Sequence, residues 1–247
     1  MTELLLGEMG PWAYALAAGA VFVAAVLQSV TGMGFGLVVA PILVLVDPRF
    51  VPSSVLLLGL LVASLGAIRG RADVAGREVG VALAGRIVGA LIAGAALAAL
   101  SGSTLFSLVF AGLVLVAVWL SVSTWHVRLT PTSLFVAGLS SGVMGTVTAI
   151  GAPPMGIVYQ HSPAPKVRAT LNGFFALGTV ASIASLTTFG LFTIEHVVLA
   201  LRLLPALLAG FWLSRWLTGI VDRGLMRPLI LGVCVVSSLA IVWKAVT

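Results

Sequence analysis

The sequence predicts an all-α polytopic membrane protein of about ten membrane segments. These segments form two inverted five-segment repeats whose first elements are broken or hairpin-like. Three observations carry this. Hydrophobic residues make up 60% of the 247 and charged residues 8%. A soluble domain carries about 25% charged residues, and so little polar material cannot cover a surface facing water. Apolar runs long enough to span a bilayer, about 20 residues, recur along the chain. Finally, the two halves align with each other.

The clear runs are 12–30, 52–68, 79–100, 104–122, 169–189, 194–217 and 225–246. Two further apolar stretches are short or interrupted: 34–46, and 131–159, which is broken by glycines and by Pro153 and Pro154. The connections are short, the longest being 69–78. They leave no room for a nucleotide-hydrolysing domain, and no GxxxxGK[ST] phosphate loop occurs.

The internal alignment runs in one order. An offset of 113 places Gly32 on Gly145, Pro41 on Pro154 and Pro52 on Pro165. An offset of 116 places GRIVGALIAG (85–94) on LRLLPALLAG (201–210), pairing Arg86 with Arg202. An offset of 120 places LFSLVFAGLVLV (105–116) on LMRPLILGVCVV (225–236). The repeats are therefore expected at 1–123 and 124–247. Self-similarity of this kind marks secondary transporters.

Orientation follows from the basic residues. If each first element enters the membrane and returns, one side receives Arg69, Arg71, Arg77, Arg128, Lys166, Arg168, Arg215, Arg223 and Arg227. The other side receives only Arg49 and Lys244. Basic residues collect on the cytoplasmic side. Five crossings per half then make the repeats inverted and put both termini outside, in the periplasm if the protein sits in a bacterial inner membrane. The net charge of +6 is explained by these connections, so nucleic acid is not an expected partner. The acidic start, MTELLLGEMG, does not read as a secretory signal. The one cysteine, Cys234, excludes a disulfide within the chain.

Irregular backbone inside a membrane must line protein or water, so chemistry is expected at the interrupted elements. In 28–41, Gly32, Gly34 and Gly36 permit a sharp turn, and Gln28, Ser29 and Thr31 offer hydrogen bonds. A helix starting near Gly34 presents free N–H groups and a positive dipole end, which suits an anion. The corresponding 142–154 repeats the pattern with Gly145, Thr146, Thr148, Gly151 and the two prolines. Small residues that only let helices approach are the plainer explanation for one such stretch. Two at corresponding positions point to a transport site.

QSVTGMGFGLVVAP (28–41), the GxxGTxxAIGAPP stretch (142–154) and KVRATLNGFFALG (166–178) resemble the TauE/SafE family of sulfite and organosulfur anion transporters. The resemblance covers essentially the whole chain. It implies export, or in some cases import, of small sulfur-containing anions. A branch that passes thiosulfate along cysteines needs several, and this chain has one.

Arg86 and Arg202 each lie about 8 residues, or about 12 Å, into an apolar run. An ionisable residue at such depth is a functional candidate by default, and the guanidinium fork matches an oxyanion. Snorkelling to the interface competes with that role. Asn172 can donate to an oxyanion or fix a helix contact. All seven Asp and Glu are terminal or in connections, so no buried acid is on hand for proton coupling. The expected partners are a small anion and the lipid bilayer, with no cofactor or metal, in a monomer or homodimer. An anion channel is the alternative, although it needs a continuous polar pore. A membrane enzyme is a weaker one, because neither HExxH, GxSxG nor paired carboxylates occur.

Overall fold

The structure is a computed structural model and describes residues 10–100, 104–123, 125 and 127–217. Among these residues it is all-helical. The helices are α1 (Pro11–Thr31), α2 (Phe35–Val46), α3 (Ser53–Arg69), α4 (Gly76–Leu100), α5 (Thr104–Val122), α6 (Pro131–Thr148), α7 (Ala152–Tyr159), α8 (Ala164–Thr188) and α9 (Ile194–Leu217). Four of them, α1, α4, α8 and α9, are long and apolar enough to cross a membrane. The shorter apolar helices include α2 and α3. The expected last span 225–246, with Arg223, Arg227, Lys244, Cys234 and both chain ends, lies outside the described residues.

Helix boundaries follow local chemistry. Proline at the first turn of α1, α6, α7 and α8 lacks an N–H that would be unpaired there. Thr130 and Ser133 close a reciprocal capping box at the start of α6. The structure begins α8 at Ala164, five residues before the expected 169. Lys166 and Arg168 therefore lie in its first turns rather than in a connection.

Both interrupted stretches are helical hairpins. Residues 32–34 part α1 from α2, and 149–151 part α6 from α7. Their directions are fixed by cross-contacts. Tyr14 Oη donates to Arg202 O at 3.0 Å and Gly210 abuts Phe22, so α1 and α9 run in parallel. Ser54 meets His196 and Arg69 meets Ser214, so α3 runs with them. Asn172 faces Gly66, and Ala169 faces Gly70, so α8 runs the opposite way, as does α4, which contacts α8 from Arg86 through Gly94. α2 returns to the end where Arg49 bridges Asp47 (2.8 Å) and Glu195 (3.0 Å). α7 returns to the opposite end, where Glu78 takes Lys166 (2.6 Å) and Tyr159 (2.8 Å). The two hairpins thus enter from opposite ends.

Packing between α4 and α6 depends on backbone approach. Gly85 and Gly89 face the backbone of Phe135 and Leu139, while Gly138 and Gly142 face that of Ala82 and Arg86. A Cβ at any of the four would overlap main-chain atoms. In lipid, where no hydrophobic force joins helices, such close contact supplies dispersion and polar attraction. Large apolar side chains such as Leu16, Leu91, Val136, Leu177 and Leu208 point outward, as a lipid-facing surface requires.

Candidate functional site

The tip of the first hairpin is a left-handed turn. Gly32 has φ +84° and Gly34 φ +107°, values that side chains with a Cβ rarely adopt. The Thr31 hydroxyl lies 2.9 Å from Leu27 O and 2.7 Å from Met33 O, and accepts from Met33 N at 3.2 Å. Gln28 spans the turn from inside. Its Nε2 donates to Asn172 Oδ1 at 3.0 Å and lies 3.2 Å from Gly32 O, while its Oε1 accepts the N–H of Phe35 at 3.2 Å. Asn172 is itself oriented by its Nδ2 donating to Arg168 O at 2.9 Å. Gln28 and Asn172 are therefore engaged with each other and with the turn.

The second tip turns at Ala149, the one non-glycine residue of positive φ (+61°) among the described residues. Thr148 Oγ1 donates to Met144 O at 2.7 Å and accepts from Ile150 N at 3.1 Å. Ser141 Oγ donates to Gly151 O at 2.6 Å. Pro153 and Pro154 carry no N–H, so Gly151 and Ala152 supply the donors at the start of α7.

The tips touch. A Cβ on Gly36 would overlap the Ala149 carbonyl, so glycine there lets the start of α2 abut the turn between α6 and α7. Beside this contact is a small cleft. Its polar lining is Gln28, Gly34, Gly36, Arg86, Gly151 and Thr179, and its apolar lining includes Phe35, Val55, Leu56, Ile150 and Phe175.

Arg86 dominates the electrostatics. It is 2% exposed. Nη1 donates to Ser141 O at 2.6 Å and to Ser141 Oγ at 2.7 Å; Nη2 reaches Ser182 Oγ at 3.3 Å. Ser182 in turn accepts from Thr146 Oγ1 at 2.8 Å. The guanidinium carbon lies 5.6 Å from the Phe174 ring centroid, within cation–π range. Nε has no hydrogen-bond partner. Gly145, Gly151 and Gly178 surround the group, and a Cβ on any of them would come within 2.7 Å of a guanidinium nitrogen. All of its hydrogen-bonding partners are neutral. A buried charge is ordinarily paired with an opposite one.

Of the residues expected at the site, Gln28, Gly34, Gly36, Arg86 and Gly151 line the cleft. Thr31, Gly32, Thr148 and Asn172 build the turns behind it, and Gly145 and Thr146 back the arginine. Ser29 bonds its own helix at Ala25 O, 2.6 Å. Arg202 does not reach the cleft: it is half-buried on α9 against α1, with its Nε unpartnered. The sequence reading missed Ser141, Ser182, Gly178, Phe175 and Thr179. A stripe on α8 signals part of this set, because Asn172, Thr179, Ser182 and Ser185 share one helical face and all are buried. Among the described residues no group of three or more His, Cys, Asp or Glu exists to hold a metal ion.

The family model described as Sulfite exporter TauE/SafE matches residues 17–241. No curated protein matches the chain, and no solved structure does.

Proposed function

The chain belongs to the sulfite exporter TauE/SafE family of membrane transporters, and from that premise we propose that it exports a small sulfur-containing oxyanion, such as sulfite or an organosulfonate, through the cleft between its two hairpin tips. The observation that carries this reading is Arg86, a fully buried cation on the cleft wall whose hydrogen-bonding partners are all neutral. Removing an ion from water costs several kcal/mol, repaid only by an opposite charge and good hydrogen bonds. An oxyanion in the cleft supplies both. Donors at the starts of α2 and α7 complete its coordination.

In this reading the two hairpins belong to inverted five-segment repeats, ten segments in all, with both termini on the outer face of a bacterial inner membrane. The cleft opens to each side in turn. Hairpins entering from opposite ends and meeting tip to tip support that arrangement.

The test is flux in liposomes holding purified protein. Arg86→Gln should lower sulfite affinity by about ten- to a hundredfold, the worth of a charge-assisted hydrogen bond of about 1.5–3 kcal/mol. Arg86→Lys should restore only part of it, because the ammonium lacks the planar fork. Arg202→Gln, outside the cleft, should stay within about threefold of the parent. Wild-type flux in Arg86→Gln would overturn the assignment of the cleft.

A further inference from the structure

Resting on the anion-transport reading above, we infer that the cleft takes its substrate as a monovalent oxyanion and carries it without a co-transported cation, so that each turnover moves one negative charge across the membrane.

The count of charge at the site leads there. Among the described residues Arg86 is the only ionisable one lining the cleft. All seven acidic residues fall outside the interiors of the apolar runs, and the four among the described residues, Asp47, Asp73, Glu78 and Glu195, lie outside the cleft lining. The helix termini add little net charge. Each tip joins the carboxyl end of one helix to the amino end of the next, α1 to α2 and α6 to α7. Macrodipole ends of about −0.5 and +0.5 therefore meet at each turn and offset one another beyond their immediate neighbourhood. What remains is one formal positive charge with N–H donors around it. A monoanion neutralises that charge. A dianion would bring in a second charge with nothing opposite it among the described residues of the cleft.

Coupling to a cation also lacks its parts. A proton needs a titratable acceptor in the cleft, and Arg86 stays protonated. A sodium ion needs several free oxygens, in transporters often the carbonyls of unwound helix ends. Two of those carbonyls already have donors: Gly32 O faces Gln28 Nε2, and Gly151 O faces Ser141. The anion therefore travels with its own charge uncompensated, and a membrane potential negative inside drives it outward.

The experiment uses the full chain in liposomes with methanesulfonate, a fixed monoanion, and sulfate, a dianion, under a potassium diffusion potential set with valinomycin. Methanesulfonate should accumulate on the positive side at about one tenfold gradient per 59 mV, and imposed pH or sodium gradients should leave the distribution unchanged. Sulfate should bind at least about tenfold more weakly. Sulfite should lose affinity by about tenfold per pH unit once bisulfite is deprotonated, while methanesulfonate stays level. Methanesulfonate accumulation that ignores the potential, or follows a pH or sodium gradient, overturns the inference while leaving anion transport standing. So does sulfate binding as tight as methanesulfonate. If none of the three anions binds or moves, the anion-transport reading itself falls, and this inference with it.

Discussion

Thr31 and Thr148 make the same pair of hydrogen bonds in two different hairpins. Each hydroxyl bonds the carbonyl four residues back, Leu27 or Met144, and accepts the N–H two residues ahead, Met33 or Ile150. Each thus ends one helix and caps the turn that starts the next. The hydroxyls look on paper like ligands for an anion, yet their hydrogen-bonding capacity goes to the backbone. Thr148→Val keeps the shape and leaves a buried N–H without an acceptor. It should destabilise the protein by about 1–3 kcal/mol, read as a lower unfolding midpoint in detergent, while Thr148→Ser recovers most of it. An unchanged midpoint in Thr148→Val would dismiss the capping role.

Gly178→Ala places a methyl group against Nε and Cδ of Arg86. The guanidinium must shift, and its bonds to Ser141 and Ser182 lengthen. Anion affinity should fall at least about tenfold, the worth of one such bond. Gly80→Ala, whose new Cβ meets nothing within 4 Å, is the matched control and should transport normally. Equal activity in both variants would mean that the cradle around Arg86 is not needed.

Asn172 separates positioning from charge. Asn172→Ala removes the acceptor that holds Gln28, so the first turn of α2 loosens and the substrate KM should rise. Asn172→Asp still accepts from Gln28 but adds a buried negative charge near the cleft. It should weaken anion binding further than alanine does, and the difference should shrink at low pH as the carboxyl protonates. Identical KM values for the two variants across pH would sink this account.

Asp47 gives a pH dependence outside the membrane segments. Burial raises its carboxyl pKa, but the side-chain and backbone hydrogen bonds from Arg49, and the arginine's charge, outweigh burial and hold it below its usual value. A depressed carboxyl pKa contributes stability above the unfolded value of about 3.9 that is lost as pH falls through the folded value. The unfolding midpoint should therefore drop on acidification below about pH 4. Asp47→Asn should flatten part of that drop. The same acid sensitivity in parent and variant would assign the drop to other carboxyls.

Much of the fold was legible because span length and glycine interruptions are local properties. The limits of α3, α5 and α9 agree with the apolar runs within a residue or so. The break within 131–159 was visible as Gly151 followed by two prolines. The start of α8 was not, because charged Lys166 and Arg168 resemble a connection while proline at the first turn favours a helix. At the site, Arg86 and the paired turns were readable from depth and donor density. The likeness of Arg86 to Arg202 was misleading about position: aligned sequences place two arginines at equal depth, but the neighbours that bury one beside a cleft come from α6 and α8. Gln28 and Asn172 carry the right chemistry for an anion, and only their mutual contact, 144 residues apart in sequence, assigns them to the turn.

The glycines around Arg86 also bear on how this site can change. Gly145, Gly151 and Gly178 come from three separate pieces of backbone, and each abuts the same guanidinium. The four positions therefore form one mutational unit. The three nearest atoms that a methyl group at Gly145 or Gly178 would strike all belong to the Arg86 side chain, so those clashes go once Arg86 is shortened to alanine, whereas a methyl group at Gly151 still meets Ser141. Substitutions here should be strongly non-additive, and a library varying these positions one at a time would find every route closed. Altered specificity would be reached only by exchanging the arginine and at least one glycine together.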